Sequence, residues 1–273
     1  MAAFRGRFAG FMAENTPIKS SGKTILITGA SGGIGAALAR ASAQIYSKSG
    51  VTLLLWGRDE ARLNEAAAQC RALGAVASVQ SFDLRDVPGF VTRLAAADAA
   101  TPIDLAIFNA GLGGTVPNDA YAEAPQTAQA IAEVNFVAPV AGANAIADAM
   151  AKRGAGQIVL IGSISESYPL PMAPTYAGSK AGLRLFAEAF GLRLKKHGVG
   201  VCLVSPGFID TPMSRGLTQP KPFLMDADKA AAIILRKIQS GARVIVVPWQ
   251  FSVMRAFTDL LPRALVRWVM SRA

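Results

Sequence analysis

Tyr176 and Lys180 stand four residues apart in a stretch that favours a helix after Pro174. That spacing places both side chains on one helical face, where they can meet. A tyrosine has a pKa near ~10 and is a poor base at neutral pH. An adjacent ammonium stabilises the phenolate, so we expect Lys180 to lower the pKa of Tyr176 and suit it to proton exchange with a carbonyl or alcohol oxygen. The spacing alone fits a surface helix pair equally well.

Ser163 is a third candidate, thirteen residues before Tyr176 and just after the apolar run Gln157–Ile161. Such a run is typical of a buried strand, so Ser163 is expected at the strand's carboxyl end. A hydroxyl there can donate to a substrate oxygen as negative charge develops on it. Ser165 is a rival for this role, and either serine could instead form only loop hydrogen bonds.

A glycine-rich loop, Thr-Gly-Ala-Ser-Gly-Gly-Ile-Gly over residues 28–35, separates the first strand pattern from a helix pattern. This is the position that phosphate binding requires. Glycines let the backbone approach a pyrophosphate, and a helix N-terminus presents free N–H groups and a positive dipole end. We therefore predict dinucleotide binding rather than an ordinary tight turn. The predicted contacts are Gly29, Ser31, Gly33, Ile34 and Gly35.

Residues 54–59, Leu-Leu-Trp-Gly-Arg-Asp, indicate which dinucleotide binds. An NAD-selective site places a carboxylate here for the ribose 2′-hydroxyl. Gly57 has none, whereas Arg58 carries a guanidinium suited to a 2′-phosphate, so we predict NADP(H) as the preferred cofactor, with NAD(H) possible. Alternatively, Arg58 is an exposed residue at a helix start and Asp59 only a helix cap. Asp83 could accept a hydrogen bond from the adenine amine or begin a turn.

Seven short β-branched runs alternate with helical patterns along the chain. The runs are Thr24–Thr28, Val51–Trp56, Val76–Phe82, Asp104–Phe108, Gln157–Ile161, Val199–Val204 and Val244–Val247. They are continuously apolar, as expected for strands covered on both faces. The helical patterns include Ile34–Ser47, Asp59–Leu73, Ala122–Lys152 and Thr175–Lys196. This alternation predicts an α/β fold of the doubly wound Rossmann type, a seven-stranded parallel sheet with helices on both faces.

Composition narrows the class of protein. The 273 residues are 52% hydrophobic and 17% charged, which excludes a disordered chain. Two cysteines suit a reducing, cytoplasmic compartment, and a single histidine argues against a His-rich metal site, so we predict no metal. No run of about 18 uncharged apolar residues occurs, so we expect no membrane-spanning helix. The N-terminus lacks the pattern of a secretory signal.

The formal charge of +10 is concentrated at the two ends. Residues 1–23 and residues 250–273 each hold four basic residues against one acidic residue. No basic stripe crosses the remainder, so we expect no nucleic-acid binding. Bulky apolar residues interleave with these charges, which suits an anionic membrane surface; packing on the protein or on another subunit is the alternative. We therefore expect a basic arm over 1–22, a dinucleotide-binding domain over 23–248 and an amphipathic basic segment over 249–273.

Together the motifs resemble the short-chain dehydrogenase/reductase family from about Lys23 to about Pro248. The glycine pattern and the Tyr-x-x-x-Lys pattern both match, and one departure is Gly162, where the family often has serine. The resemblance implies catalytic roles for Asn135, Ser163, Tyr176 and Lys180. It also implies cofactor contacts by Asn109, Ala110, Gly111, Tyr176, Lys180, Pro206, Gly207, Ile209 and Thr211.

The resemblance further implies hydride transfer between the nicotinamide and a carbonyl or secondary alcohol. Tyr176 is expected to protonate the nascent alkoxide, and Ser163 to hold the substrate oxygen. Lys180 is expected to bind the nicotinamide ribose, and Asn135 to connect Lys180 to solvent through water. The same groups serve the reverse oxidation, and a preference for NADP favours reduction.

In this family the segment after the Pro-Gly turn covers the substrate. Its apolar residues here predict substrate contacts by Ser163, Tyr176, Met213, Leu217 and Phe223, and a lipophilic substrate. Arg215 and Lys221 leave an anionic substrate open. Relatives often form homodimers or homotetramers, which we expect here too. Two other functions stay open: a nucleotide-sugar epimerase or dehydratase, and a redox-sensing protein without turnover.

Overall fold

The computed structural model describes residues 22–117, 119–217 and 219–262, together with 264, 266 and 268. Every predicted strand is present, and the ends agree with the prediction to within two residues. The strands are β1 Lys23–Thr28, β2 Val51–Gly57, β3 Val76–Ser81, β4 Leu105–Phe108, β5 Gly156–Ile161, β6 Val199–Pro206 and β7 Val244–Val247.

Nine α-helices are found among the described residues. They are α1 Gly33–Ile45, α2 Glu60–Ala72, α3 Val87–Ala100, α4 Pro125–Ala132, α5 Ala138–Arg153, α6 Pro174–Leu194, α7 Pro212–Arg215, α8 Ala227–Gln239 and α9 Gln250–Asp259. Two short 3₁₀ turns, Ile164–Ser167 and Lys195–His197, follow β5 and α6.

The sheet confirms the predicted doubly wound topology. All strand pairs are parallel, and the strand order is β3-β2-β1-β4-β5-β6-β7. The direction of winding reverses between β1 and β4, and loops that leave such a point open a crevice at the carboxyl edge of the sheet. The glycine loop follows β1 and Asn109 follows β4, so both lie at this crevice.

One strand departs from the expectation of burial on both faces. In β3, Val76 and Ser78 are exposed whereas Ala77 between them is buried. The reason is topological, because β3 is an edge strand that pairs only with β2. Because β3 lies at the edge of the sheet, its residues begin by alternating between exposed and buried positions, a pattern that the central strands lack.

Two clusters of apolar side chains cover the two faces of the sheet. On one face the cluster includes Leu38 of α1 and Leu63 of α2. On the other it includes Phe90 of α3 and Leu183 of α6. Burying one such side chain completely contributes about 1.5–3 kcal/mol, so this packing holds the strand ends and their loops in place.

The helix predicted over 122–152 forms as α4 and α5, joined by a π-helical turn at Glu133–Val137. By length and composition, Pro125–Arg153 is the one helical stretch in the described part of the chain that could cross a membrane, with a mean hydropathy of 1.4. Half of it is buried inside the protein, and α5 packs on α3 and β5. We interpret the stretch as a core helix of the fold.

The C-terminal segment is partly attached to the body. Phe251 of α9 is 4% exposed, and its ring lies directly on Gly207, where a Cβ would approach to 2.2 Å. The alternative that this segment packs on the protein therefore holds for one face of α9. Residues 1–21, with the predicted basic arm, and residues 263, 265, 267 and 269–273 lie outside the described residues.

Candidate active site

The predicted catalytic serine and tyrosine meet beside the carboxyl end of β5. Ser163 begins the 3₁₀ turn and caps it, since its hydroxyl accepts from the Ser165 N–H at 3.1 Å. Tyr176 lies in the first turn of α6, which Pro174 begins. The Ser163 hydroxyl lies close enough to the Tyr176 phenol to lower its pKa. The fold therefore brings two groups to one point that are thirteen positions apart in the sequence.

Burial raises the pKa of Tyr176 above its ordinary value, and the Ser163 hydroxyl only partly opposes the rise. The net pKa of Tyr176 therefore moves opposite to the lowering that was predicted. The Lys180 ammonium lies over the tyrosine ring, with its Nζ 5.9 Å from the centroid, and desolvation of the phenolate is the largest influence on the pKa. The phenol therefore keeps its proton at neutral pH, which is the form that can donate to a carbonyl oxygen.

Lys180 is buried and anchored. The residue is only 4% exposed, and its Nζ donates to the Ile161 carbonyl oxygen at 2.8 Å. Burial lowers the pKa of Lys180 to about 8, and the Glu166 carboxylate opposes this shift. The ammonium form still predominates at neutral pH. With one N–H bound to Ile161, the other N–H groups can donate to hydroxyls.

Asn135 is fully buried in the π-helical turn. Its Oδ1 accepts from the Leu112 N–H at 2.7 Å, and its Nδ2 donates to the Leu112 carbonyl oxygen at 2.9 Å. Gly111 lies between Asn135 and Lys180, since a Cβ there would be 3.4 Å from Asn135 Oδ1 and 3.7 Å from Lys180 Nζ. The structure thus groups Asn135 with Lys180, while the water connection between them stays a prediction.

The glycine loop packs against the end of β4 too closely for side chains. A Cβ on Gly35 would lie 2.2 Å from the Gly29 carbonyl oxygen, and one on Gly29 would lie 2.8 Å from Ala110 Cα. Gly29 also has a φ of 67°, in the left-handed region that glycine tolerates best. Asn109 closes the contact by donating from Nδ2 to the carbonyl oxygens of Thr28 and Gly29, at 3.0 and 3.2 Å.

The N-terminus of α1 suits an anion. Gly32 caps it without a side-chain hydrogen bond, and the first turn has no acidic residue, so the N–H groups and the positive dipole end stay available. Ser31 faces the end of β2, since a Cβ on Gly57 would be 3.4 Å from its Oγ. Thr211 faces Gly33 from across the crevice, where a Cβ would be 3.2 Å from the threonine methyl. These residues fit a dinucleotide pyrophosphate.

The predicted Pro-Gly turn lies at the carboxyl end of β6. The Gly207 N–H donates to the Val247 carbonyl oxygen at 2.8 Å. Ile209 is 3% exposed and pairs with Met225 in an isolated parallel bridge. The turn is therefore held by backbone hydrogen bonds on its strand side. Two other predicted contacts are placed nearby: Pro206 is buried in β6, and Ile34 packs at the margin of the apolar core.

The end of β2 presents Arg58 as an exposed residue. Hydrogen bonding to Arg85 holds the pKa of Asp83 below its usual value, with a smaller contribution from Arg58. Asp83 also begins the turn before α3, because its carbonyl accepts from the Asp86 N–H at 3.1 Å. Asp59 caps α2, which is the alternative role that the sequence analysis gave it. The positive charge of Arg58 therefore stands where an NAD-selective site would place a carboxylate.

The predicted substrate residues of the lid segment, residues 212–225, divide into two groups. Met213 is 47% exposed and faces Gly113 in the loop after β4, where a Cβ would be 3.4 Å from its Cγ. Leu217 is partly buried. Phe223 is also 47% exposed, but its ring packs edge-on against Phe251 of α9, with centroids 5.6 Å apart. Met213 therefore lies against the loop after β4, whereas Phe223 joins the lid segment to α9.

Sequence reasoning missed Glu166, whose side chain is completely buried beside Ser163. Its Oε2 accepts from the Ser163 N–H at 3.2 Å, and its Oε1 accepts from the Ser205 hydroxyl at 2.7 Å. Arg255 of α9 also donates to Oε1, at 3.2 Å. Burial raises the pKa of Glu166. The Ser-x-x-Glu spacing of a capping box was the signal that could have identified this residue.

The arrangement suits proton transfer coupled to hydride exchange. A bound nicotinamide dinucleotide supplies or accepts the hydride. In this arrangement the Tyr176 phenol could give its proton to a carbonyl oxygen, and the Ser163 hydroxyl could donate to the same oxygen as charge develops there. Lys180 presents its ammonium next to the tyrosine, where it can bind the ribose hydroxyls of the dinucleotide. The glycine loop and the N-terminus of α1 would hold the pyrophosphate.

Comparison with known proteins agrees with this geometry. The family model described as short chain dehydrogenase matches residues 23–222. Ketoacyl reductase HetN from Nostoc sp. is 32% identical over 247 residues, which are 88% of this chain and 83% of that protein.

Two solved structures extend the likeness to three dimensions. A short-chain dehydrogenase from Sphingobium yanoikuyae in complex with NADPH has 25% identity and a TM-score of 0.75, covering 89% of this chain and 97% of its own. The bulky-bulky ketone specific alcohol dehydrogenase from Comamonas testosteroni has 27% identity and a TM-score of 0.72, covering 89% and 96%. This chain therefore belongs to the short-chain dehydrogenase family, the oxidoreductases that act on alcohols and ketones with NAD(P).

Proposed function

We propose that this protein is an NADP(H)-dependent reductase of a lipophilic ketone or aldehyde. The observation that carries the proposal is the partly buried Tyr176 phenol, whose pKa is influenced by the Ser163 hydroxyl and whose ring lies beneath the Lys180 ammonium. Because its pKa is raised, the phenol holds the proton that carbonyl reduction consumes. A positioned acid of this kind contributes roughly 10²–10⁴-fold to the rate.

The exposed Arg58 supports the preference for NADP(H) over NAD(H). The nearest acidic residue in the sequence, Asp59, accepts from the Arg62 N–H at 3.0 Å to cap α2. Its carboxylate is therefore already engaged by its own helix. A guanidinium at this position binds a 2′-phosphate well and does nothing comparable for a 2′-hydroxyl.

The apolar lid segment supports a lipophilic substrate. Met213 and Phe223 expose large apolar surfaces, and Leu224 is 50% exposed. Arg215, which left an anionic substrate open, pairs with Asp210 from Nε to Oδ1 at 2.7 Å, so its charge is balanced. The names of the HetN and Comamonas relatives suggest β-ketoacyl thioesters and bulky ketones as the first compounds to test.

A carbonyl screen tests the proposal directly. Acetophenone, 2-decanone and the N-acetylcysteamine thioester of acetoacetate are offered with NADPH, and consumption of NADPH is followed by its absorbance. We expect at least one to be reduced. No turnover of these or of a wider ketone set, with NADPH still bound, would favour a redox-sensing protein. NAD retained through purification would instead favour the epimerase or dehydratase alternative.

Tyr176→Phe should separate chemistry from cofactor binding. Removing the hydroxyl should lower kcat roughly 10²–10⁴-fold, because the proton donor is lost. The dissociation constant for NADPH, measured by its fluorescence, should change by less than about threefold. Tyr121→Phe is the matched control, since Tyr121 is fully exposed and should keep wild-type kcat. Turnover that survives in Tyr176→Phe would refute the mechanism.

Arg58→Ala should test the cofactor preference. A charged hydrogen bond contributes about 1.5–3 kcal/mol, so the KM for NADPH should rise roughly 10- to 100-fold while that for NADH changes little. Arg62→Ala removes a similar exposed charge from α2 and serves as the control. Equal effects of Arg58→Ala on the two cofactors would contradict the preference.

We further propose that the protein is cytoplasmic and that α9 rests on an anionic membrane surface. Besides Phe251, which faces inward, the helix region exposes Trp249, Val253, Met254, Phe257 and Leu260, each by 44–83%. Phe223 joins the lid segment to the same helix, so a lipid-like ketone would enter from that side. Basic residues at 263, 267 and 272 follow in the sequence and suit anionic headgroups.

Vesicle co-sedimentation tests this surface. The double variant Trp249→Ser/Phe257→Ser should lose binding to vesicles that contain phosphatidylserine, and neutral vesicles should bind less of the wild type. Val76→Ser, at an equally exposed position on β3, is the control and should bind as the wild type does. Equal sedimentation of all three proteins would remove the membrane proposal.

The expected homodimer or homotetramer remains part of the proposal. Leu185 and Leu192 of α6 are 66% and 59% exposed, and Val137 beside α5 is 42% exposed. Exposed apolar side chains on adjacent helices suit a symmetric contact between two copies. Light scattering of Leu185→Asp/Leu192→Asp should show a smaller species than the wild type, and an unchanged mass would contradict this surface.

A further inference from the structure

The C-terminal helix reaches the catalytic serine through one buried carboxylate. Arg255 Nη1 of α9 and Oε1 of Glu166 lie 3.2 Å apart, and the other carboxylate oxygen, Oε2, accepts from the Ser163 N–H at 3.2 Å. Ser163 in turn lies next to Tyr176, where its hydroxyl lowers the pKa of the phenol. A continuous chain of contacts therefore runs from an arginine near the C-terminus to the phenol that donates the proton.

Further contacts hold α9 to the same loop. The hydroxyls of Tyr168 and Thr258 are 3.2 Å apart, so α9 contacts the 3₁₀ turn at Glu166 and again at Tyr168, just after its end. Gly162 makes room for the carboxylate, because a Cβ there would lie 2.5 Å from Glu166 Oε2. The departure of Gly162 from the serine frequent in the family thus accompanies a buried acid directly behind the catalytic serine.

We propose that Arg255 and Glu166 are positioning residues, through which α9 sets the place of the Ser163 hydroxyl. The inference rests on the proposed reductase function. A carboxylate with no exposed surface is tolerated only when it is paired. Without Arg255, Glu166 takes up a proton or moves towards solvent, and in either case it changes its hold on the Ser163 N–H. The C-terminal helix is then part of the active-site framework.

The same carboxylate contributes an electrostatic signature that a merely structural contact lacks. Tyr176, Lys180 and Arg184 face it from α6, while Ser205 faces it from β6 and Arg255 from α9. Its negative charge raises the pKa of Tyr176 and of Lys180. Neutralising Glu166 without changing its shape should therefore move both titrations to lower pH, as a coupled pair.

Four variants of the full-length protein test the proposal: Arg255→Ala, Arg255→Lys, Glu166→Gln and Arg236→Ala. Arg236 is the charge-matched control, since its side chain is exposed and donates to the Ala232 carbonyl oxygen of its own helix. We measure kcat and KM with the fastest-reduced probe of the carbonyl screen, and amide hydrogen exchange at Ser163, Ser165 and Tyr168.

Arg255→Ala should lower kcat about tenfold, because a small misplacement of a substrate-positioning group costs this much, and KM for NADPH should be unchanged. Arg255→Lys should recover kcat to within about threefold, because an ammonium can still pair with Glu166. Glu166→Gln should move the basic limb of the pH–rate profile to lower pH. Exchange at the three amides should quicken in Arg255→Ala but not in Arg236→Ala.

Wild-type kcat and unchanged exchange in Arg255→Ala would overturn the proposal. So would a pH profile of Glu166→Gln that matches the wild type, since that would remove the electrostatic link. The exchange measurement needs no substrate, so it remains decisive if the wild type reduces none of the probes. A wild type that reduces no probe would contradict the proposed function, but it would leave the link between α9 and Ser163 to be decided by the exchange rates.

Discussion

The two halves of the crevice are held together in different ways. In the cofactor half, the loop after β1 and the end of β4 touch through backbone atoms, with no room for a Cβ at Gly29 or Gly35. In the substrate half, the lid segment, which begins with the short helix α7, meets α9 through side chains, and Met213 and Phe223 of this segment stay half exposed.

This difference follows from what each half must recognise. The pyrophosphate is the same in every dinucleotide, so N–H groups at one exact distance can bind it, and close backbone contact keeps them there. The proposed apolar substrate would be bound by buried area rather than by directional contacts, and adaptable side chains such as methionine provide that area. Substitutions in the two halves should therefore affect stability and binding in different ways.

The largest effect is expected at the anchor of the substrate half. Phe251→Ala should lower the free energy of unfolding by about 3–5 kcal/mol, because the ring is buried against Gly207. Phe257→Ala on the outer face of the same helix, where the residue is 63% exposed, should change it by less than about 0.5 kcal/mol. Urea unfolding measures both, and equal losses would show that α9 is not anchored by one face.

The cofactor half should fail through overpacking. Gly35→Ala should lower the free energy of unfolding by about 1–3 kcal/mol, because its Cβ meets the Gly29 carbonyl oxygen at 2.2 Å. Gly178→Ala is the matched control, with no atom within 4 Å in the interior of α6, and it should stabilise the protein by about 0.5–1 kcal/mol. Thermal melting distinguishes the signs; a stable Gly35→Ala variant would contradict the close packing.

The pH dependence of the reaction tests Lys180, which lies between the cofactor half and the substrate half. Because burial lowers the pKa of Lys180 to about 8, its ammonium is lost as pH rises through 8. The kcat/KM for NADPH should then fall roughly tenfold per pH unit, since it reports the free enzyme. The raised pKa of Tyr176 keeps its phenol protonated there. Lys180→Arg should remove this limb, and a flat wild-type profile to pH 9.5 would refute the assignment.

The smallest effect is expected from a single apolar contact in the lid segment. Met213→Ser should raise the KM for 2-decanone roughly three- to tenfold, because one partly buried side chain contributes about 1 kcal/mol. NADPH binding should not change, since Met213 faces Gly113 and not the glycine loop. Val76→Ser on β3 serves as the control. A change in NADPH affinity as large as the change in KM would show that the halves are not separate.

The sequence by itself determined the strands, the loop and the spacing of the catalytic pair. Seven β-branched runs matched seven strands, because hydrophobicity along a short segment is a local property, although the one-sided exposure of β3 followed from its place at the edge of the sheet. The glycine loop was identified for the same reason, since its backbone conformation depends on the residues within it. Tyr176 and Lys180 share a helical face through spacing alone.

Only the tertiary structure decided how these groups behave chemically. Glu166 and Arg255 are 89 positions apart, and no local pattern brings them together behind Ser163. The pKa of Tyr176 moved opposite to the prediction because burial, a property of the whole fold, outweighs one neighbouring charge. Periodicity and spacing are properties of the sequence, whereas desolvation and long-range pairing arise only after the chain has folded and packed.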